Sequence, residues 1–373
     1  MQTFSDYVYL FHLLLICKVF LFGVLNILFK LLIFSCSQVK KAYFCGEINI
    51  IDKFFKRMIS RRLLRVKVLQ ILYAYYKNQD RTIAKAEKEL FFSVGKAYDL
   101  YHYLLLLIVD VAFVSEKKID KLRDKIVPSH EDLNPNTRFI DNAVIKQLAN
   151  NIQLSSYSNT NTINWDDQED YVRILREKLI SSDLYQEYMN APECTYARDK
   201  KFVEKFYTHI IAADEDFYGV MEEKSIYWND EIEFIISMVA RTIKGFTKDD
   251  DTHTSLMPLF KDRDDEEFMK TLFRKAIINH PEHQGLIEAN TKNWDLERIA
   301  YMDILIMELA LTEIKEFSSV PVKVSFNEYL EIAKFYSTAN SSTFINGILD
   351  KMVQELKANG TVKKVGRGLI EGK

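Results

Sequence analysis

Near its C-terminus the chain reads Phe344-Ile345-Asn346-Gly347-Ile348-Leu349-Asp350-Lys351, after a polar stretch from Ser337 to Thr343 and the segment Val320-Pro321-Val322-Lys323-Val324-Ser325-Phe326-Asn327-Glu328. Pro321 fixes φ and ends whatever precedes it. Ser325 and Glu328 have the spacing of a capping box, which predicts a helix from Phe326 with Tyr329, Leu330, Ile332 and Ala333 on its apolar side. Ser337, Thr338, Asn340, Ser341 and Ser342 favour turns and caps over helix interiors. A second helix is predicted from about Thr343 to Leu356, with Gly360 as its stop. Gly347 inside that helix is destabilising by about 1 kcal/mol relative to Ala, so its presence suggests close approach of another backbone. On these physical grounds alone the block is a helical hairpin.

Some 280 residues earlier, Arg61, Arg62 and Arg65 open a helix predicted over 61–78, with Ser60 as its cap. Positive charge in a first turn opposes the helix macrodipole by about 0.3–1 kcal/mol per charge at low salt. Spacings of three and four put Arg65 on one face with Arg62 and Arg61, and Lys56, Arg57 and Lys67 extend the patch. A solvated basic face is the ordinary explanation of such a cluster. Contact with phosphate is the functional one, and it gives affinity and salt dependence rather than sequence readout.

Together these segments resemble the NusB family of bacterial transcription antitermination factors. The C-terminal residues that carry the resemblance are Val320-Pro321-x-Lys323-Val324, Asn327-Glu328, Glu331-x-Ala333-Lys334 and Phe344-x-Asn346-Gly347-x-Leu349-Asp350-Lys351. Upstream are Trp294-x-Leu296-x-Arg298-Ile299-Ala300 with Asp303, Ile304-Leu305 and Glu313, and before them Asp265-x-x-Phe268-x-x-x-Leu272 with Leu286-Ile287. At the front, Arg61-Arg62-x-x-Arg65 followed by Gln70-x-Leu72-Tyr73 resembles the family's arginine-rich first helix. The resemblance covers 58–95 and 264–357. It implies an all-α, NusB-like fold of two small helical bundles, here with a helical insertion. It also implies binding of boxA-like single-stranded RNA together with NusE, a ribosomal protein, within an RNA polymerase antitermination complex that supports rRNA synthesis. By resemblance the best RNA-contact candidates are Arg62, Arg65, Lys323 and Phe344, and Arg61 in the same basic turn, Tyr73 near the site and Asn340 in the polar loop complete the expected RNA-binding set. Phe344 heads a helix beside a polar loop, where a ring can stack on an unpaired base. Asn340 stands where some family members carry an acidic residue, and an amide there removes a charge that would repel phosphate.

Composition sets wider bounds. The chain has 373 residues, 48% of them hydrophobic, and a formal net charge of −3, so any RNA affinity must come from a local patch. With 11 Gly and 6 Pro, long helices and few tight turns are expected. Cys17, Cys36, Cys45 and Cys194 have no zinc spacing and form no disulfide framework, which makes a reducing cytoplasm the expected location. Residues 7–35 are apolar but broken by Lys18 and Lys30. Residues 1–57 are read as an extension upstream of a natural start at Met58, with a membrane anchor as the alternative.

Helices are predicted over 83–94 and 96–115. The second has an all-round apolar run, Leu104 to Val109, that marks a buried helix too short and too polar to span a bilayer. The expected organisation is an N-terminal subdomain at 58–115, an insertion at 116–263, a C-terminal subdomain at 264–357 and a basic tail at 358–373. Within the insertion, 149–168 reads as loop, with helices at about 169–188, 198–213 and 228–246.

No cofactor is expected. Pro281 places His280-x-x-His283 in a loop rather than on a metal-binding helix face. Glu222-Glu223 and Asp249-Asp250-Asp251 read as solvated charge runs. Lys363-Lys364-x-x-Arg367 reads as a flexible basic tail. An rRNA cytosine methyltransferase with a NusB-like domain would need an α/β catalytic domain and a Gly-rich cofactor loop, and neither pattern is present, so a binding protein and not an enzyme is expected. A ribosome-assembly RNA-binding factor without an antitermination role shares every one of these sequence features.

Overall fold

The computed structural model describes residues 61–78, 82–260, 262–291 and 299–369. The expectations for 1–57, the Ser60 cap and the Trp294–Arg298 motif lie outside these residues. Among them the chain is all-α, with fourteen α-helices and no strand. In chain order these are α1 (Arg61–Lys77), α2 (Ile83–Arg123), α3 (His130–Leu133), α4 (Ala143–Ala149), α5 (Ile152–Asn161), α6 (Glu169–Ile180) and α7 (Asp183–Met189). They continue with α8 (Tyr196–Lys205), α9 (Glu215–Lys224), α10 (Ile232–Gly245), α11 (Arg263–Asn290), α12 (Tyr301–Glu316), α13 (Val322–Tyr336) and α14 (Ser341–Ala358).

The helix α2 is the spine. Thr82 caps it by accepting from the Lys85 N–H at 3.3 Å, and it runs 41 residues without a break at Gly95. The two separate helices expected here are therefore one. The reason is burial that never changes face: Leu90, Val94, Ala97, Tyr101, Leu104 and Ile108 are all nearly inaccessible. At this length α2 is long and apolar enough to cross a membrane by those criteria alone. Its apolar stripe is instead covered by protein, by α1 and α10 along one part and by α4, α5 and α6 along another.

The 116–263 region packs on that spine rather than standing apart. Trp165 stacks on Tyr103 at 3.9 Å and donates its indole N–H to the Tyr103 carbonyl at 2.9 Å. The buried Tyr207 hydroxyl donates to the Leu104 carbonyl at 2.7 Å. The expected loop at 149–168 contains α5, because Asn151 acts as its cap by accepting from Leu154 N–H at 2.9 Å while Leu154 is buried. Asn-rich sequence suggests loop, but the same side-chain acceptor that favours turns also starts short helices.

At the C-terminal end, α11, α12, α13 and α14 pack as sequential neighbours, with α14 returning onto α11 and α12. The helix α13 begins at Val322 and not at Phe326, because Pro321 serves as the N-cap residue. Ser325 is thus a buried residue inside the helix rather than its cap. His280 and His283 lie within the long helix α11, which continues through Pro281, contrary to the expected loop. Its buried face, with Phe273, Ala276, His283 and Ile287, holds the helix through the proline. The α14 stop is as read: Gly360 has φ +71°, and Thr361 N–H returns to the Leu356 carbonyl at 3.0 Å.

Gly347 departs from expectation. It is exposed, and a Cβ built on it meets nothing within 4 Å, so no backbone approaches it closely. Asn346 beside it is also exposed, whereas Leu349 is fully buried. With space available and helical φ, Gly347→Ala should raise stability by about 0.5–1 kcal/mol. A urea-unfolding midpoint lower than that of the unaltered protein would show that Gly347 is needed for packing.

Candidate nucleic-acid interface

The arginine-rich turn of α1 meets three acidic side chains from the C-terminal helices. Arg61 Nε donates to Asp265 at 2.8 Å, and its guanidinium lies over the Phe268 ring at 4.8 Å. Arg62 donates to both carboxylate oxygens of Glu328, at 2.8 and 2.9 Å. Arg65 forks onto Glu313 through Nε and Nη2, both at 2.7 Å, and reaches Glu328 at 3.5 Å. The dipole conflict in the α1 sequence is therefore resolved by carboxylates supplied from other helices.

The Arg65–Glu313 pair is buried, with side chains 3% and 0% exposed. Ser325 and Tyr329 also donate to the Glu313 carboxylate, at 2.8 and 3.0 Å. With the two bonds from Arg65, its acceptor capacity is filled. Burial by itself would raise the Glu313 pKa, but the adjacent Arg65 charge and these hydrogen bonds outweigh it and hold the group below the usual carboxylate range. Arg65 agrees in sign: burial pushes it down, Glu313 more than compensates, and it stays protonated. The expectation that Arg65 touches phosphate is thus corrected, because its fork is directed into the core. Lys67 likewise leaves the basic patch: it is 1% exposed, paired with the buried Glu231 and bonded to the Tyr227 carbonyl at 3.3 Å. Burial lowers the Lys67 pKa and raises that of Glu231 to about 7.

Arg62 seats the first turn of α1 on α13 through Glu328, which Arg65 also reaches. Arg61 and Arg62 keep about a third of their side-chain surface exposed. Lys323, in the first turn of α13, is exposed. Tyr73 lies eleven residues along α1 from Arg62, about 16 Å, and is 39% exposed. Its ring meets Tyr301 edge-on at 5.8 Å, and the Lys77 ammonium sits 4.2 Å from the Tyr301 ring centre.

Tyr301 opens α12, and two residues on Asp303 fixes the polar loop between α13 and α14. The Ser341 hydroxyl donates to Asp303 at 2.8 Å, and Ser337 bonds its other oxygen. Asn340 is exposed on that loop, and Phe344, one turn into α14, is half-buried against the core. Arg62 therefore meets the helix that carries Lys323, while Tyr73 meets Tyr301, two residues before the Asp303 that holds the loop bearing Asn340.

Sequence reasoning missed the partners. Asp265, Asp303, Glu313 and Glu328 all stood in the quoted motifs, and three arginines facing acids of the opposite sign was the available signal. It also missed the third polar cluster, in which Tyr76 donates to the buried Glu308 at 2.8 Å and His280 Nδ1 lies 3.0 Å from the same oxygen. Burial raises the Glu308 pKa, with His280 partly offsetting. His283 is buried, which lowers its pKa to about 4, and its Nδ1 sits 3.3 Å from the Thr312 hydroxyl. The basic end is not a free tail as far as Val365: Lys364 donates to the Phe317 carbonyl at 2.9 Å, and Val365 N–H bonds Ser318. Burial lowers the Lys364 pKa to about 8.

The NusB family model matches residues 233–354. A transcription antitermination protein NusB of Salinibacter ruber is 41% identical over 114 residues, which cover 31% of this chain and 71% of that protein. One of the same name from Chloroherpeton thalassium is 41% identical over 106 residues, covering 28% of this chain and 50% of its own length. A third, from Listeria monocytogenes, is 39% identical over 92 residues, covering 25% of this chain and 72% of its own length. No solved structure matches the chain. The matched region reaches back through α10, some thirty residues before the 264 read from sequence motifs.

Removing Arg65 leaves Glu313 buried without its cation, so Arg65→Ala should lower stability by about 3–5 kcal/mol, while the partly exposed pair broken by Arg62→Ala should lower it by about 1 kcal/mol or less. The native Glu313 pKa is depressed, so its contribution is fully present above about pH 4.3 and is lost as pH falls through the lower native value. Glu313→Gln should therefore be less stable at pH 7 and show a shallower loss of stability below pH 4. Urea titrations at pH 3 to 7 measure both, and an Arg65→Ala protein of unaltered stability would exclude the structural role.

Proposed function

Because this chain belongs to the NusB family, we propose that it acts in transcription antitermination, binding a boxA-like single-stranded RNA together with NusE. The pair would join the RNA polymerase complex that resists termination during rRNA synthesis, in the cytoplasm. The proposed mechanism is binding and not catalysis. The framework is 58–115 with the C-terminal subdomain, and 116–263 is an insertion whose last helix, α10, falls inside the family match.

The observation that supports this most is the seating of α1 on α13 by the two Arg62–Glu328 hydrogen bonds. It joins two segments more than 250 residues apart in sequence, and Arg61, Arg62 and Lys323 keep exposed surface near it. Arg61, Arg62 and Lys323 would position the phosphates. Phe344 and Tyr73 would stack on splayed bases, and Asn340 would offer its amide to a base edge. Arg65 acts behind these groups, holding α1 in place. The net charge of −3 suits such a local contact, since long-range attraction for RNA is absent.

Fluorescence anisotropy with boxA-type and scrambled strands, with and without NusE, at two salt concentrations tests the reading. The boxA-type strand should bind more tightly. Arg62→Ala and Lys323→Ala should each flatten the log–log salt slope by about 0.7. Phe344→Ala should weaken binding about 5- to 150-fold with the slope unchanged. Equal affinity for both strands under every condition would refute specific readout.

A further inference from the structure

A cleft of about 620 Å³ opens between α2 and two segments of the 116–263 region, the turn after α5 and the link from α9 to α10. Its size falls within the roughly 300–1,000 Å³ of small-ligand sites. None of the RNA-contact residues proposed above lines it.

Its rim is aromatic. Phe92 is 52% exposed, and Tyr227 meets it edge-on at 5.4 Å. Trp228 is held rigidly, because its indole N–H donates to the Lys96 carbonyl at 2.8 Å. The charge inside is balanced: Lys96 holds Asp99 at 2.8 Å, and Lys224 holds Asp167 at 2.7 Å. A phosphate therefore gains little there, whereas these carboxylates can accept from ring N–H and sugar hydroxyl groups. The two amides at the wall are oriented by one bond each, Asn161 donating to the Tyr157 carbonyl and Asn164 accepting from Asp166 N–H. Each retains an opposite end with the capacity to meet a base edge.

The wall also contains an unmet donor. Tyr103 is 1% exposed, and its hydroxyl has no hydrogen-bond partner. Burial, with Asp167 and Asp110 nearby, raises its pKa, so it keeps its proton. A buried hydroxyl left without a partner calls for an explanation, and a bound acceptor supplies one.

We propose that this cleft takes a nucleoside unit, with the base stacked at the Phe92–Tyr227 rim and its polar edge turned to the Asn161, Asn164 and Tyr103 groups. The cleft is tied to the arginine-rich helix: Lys67 donates to the Tyr227 carbonyl at 3.3 Å, and Gln70 to Asp230 at 3.0 Å. A nucleotide of an RNA strand lying on α1 is therefore one source of the ligand, and for that source the inference rests on the RNA-binding reading above. A free nucleoside is the other.

The test titrates the full chain separately with adenosine, guanosine, cytidine and uridine, followed by tryptophan fluorescence and saturation-transfer NMR, and in parallel with boxA-type RNA. Phe92→Ala removes an exposed ring without disturbing the core. Tyr103→Phe removes the unmet hydroxyl, and should leave the unliganded protein as stable as before or more so while weakening the ligand. Saturable binding of any nucleoside, weakened about 5- to 150-fold by Phe92→Ala, supports the cleft with a free nucleoside as ligand. The same loss seen only with RNA, and additive with Arg62→Ala, supports it with a strand as ligand. No nucleoside binding together with unchanged RNA affinity in Phe92→Ala overturns it. If the protein binds no RNA at all, the antitermination reading fails, and the nucleoside titration alone decides the cleft in either direction.

Discussion

The Arg65–Glu313 fork is the constraint on which the rest of the fold depends. Two buried charges are tolerable only when each is paired and the remaining hydrogen-bonding capacity is filled. Arg65, Ser325 and Tyr329 meet that condition together, and they come from α1 and α13 while Glu313 comes from α12. Sliding any one of these three helices would strand a charge. The fork thus fixes the register of the first described helix against the C-terminal ones, and the outer pair of Arg62 with Glu328 follows from it.

A second constraint is the length of α2. One helix of 41 residues packs against α1 and α10 and against α4, α5 and α6, so all of these share one core. Its carbonyls at Tyr103 and Leu104 accept extra bonds from Trp165 and Tyr207, which locks the segments around them in register along it. The Lys67–Glu231 pair does the same between α1 and α10. The cleft at Phe92 and Trp228 exists because these attachments leave a gap where two loops cross the spine.

Helix content was legible because apolar periodicity and caps act over a few residues. The hairpin of α13 and α14 is present, its stop at Gly360 holds, and α1 and the apolar run of α2 lie where the pattern placed them. Boundaries were less legible. Pro321 rather than Ser325 starts α13, and Gly95 and Pro281 fail to break their helices because continuous burial outweighs local propensity. Asn151 shows the converse, a residue counted towards a loop that caps a helix.

The sequence by itself determined which segments are helical, which faces are apolar, and that the C-terminal hairpin carries a family pattern. Only the tertiary structure decided what each arginine does. Three arginines at spacings of one and three look alike in sequence, because helical periodicity puts them on neighbouring positions without saying what lies opposite. Asp265, Glu328 and Glu313 separate them: two stay at the surface, and Arg65 is drawn inside where a filled carboxylate makes burial of its charge tolerable.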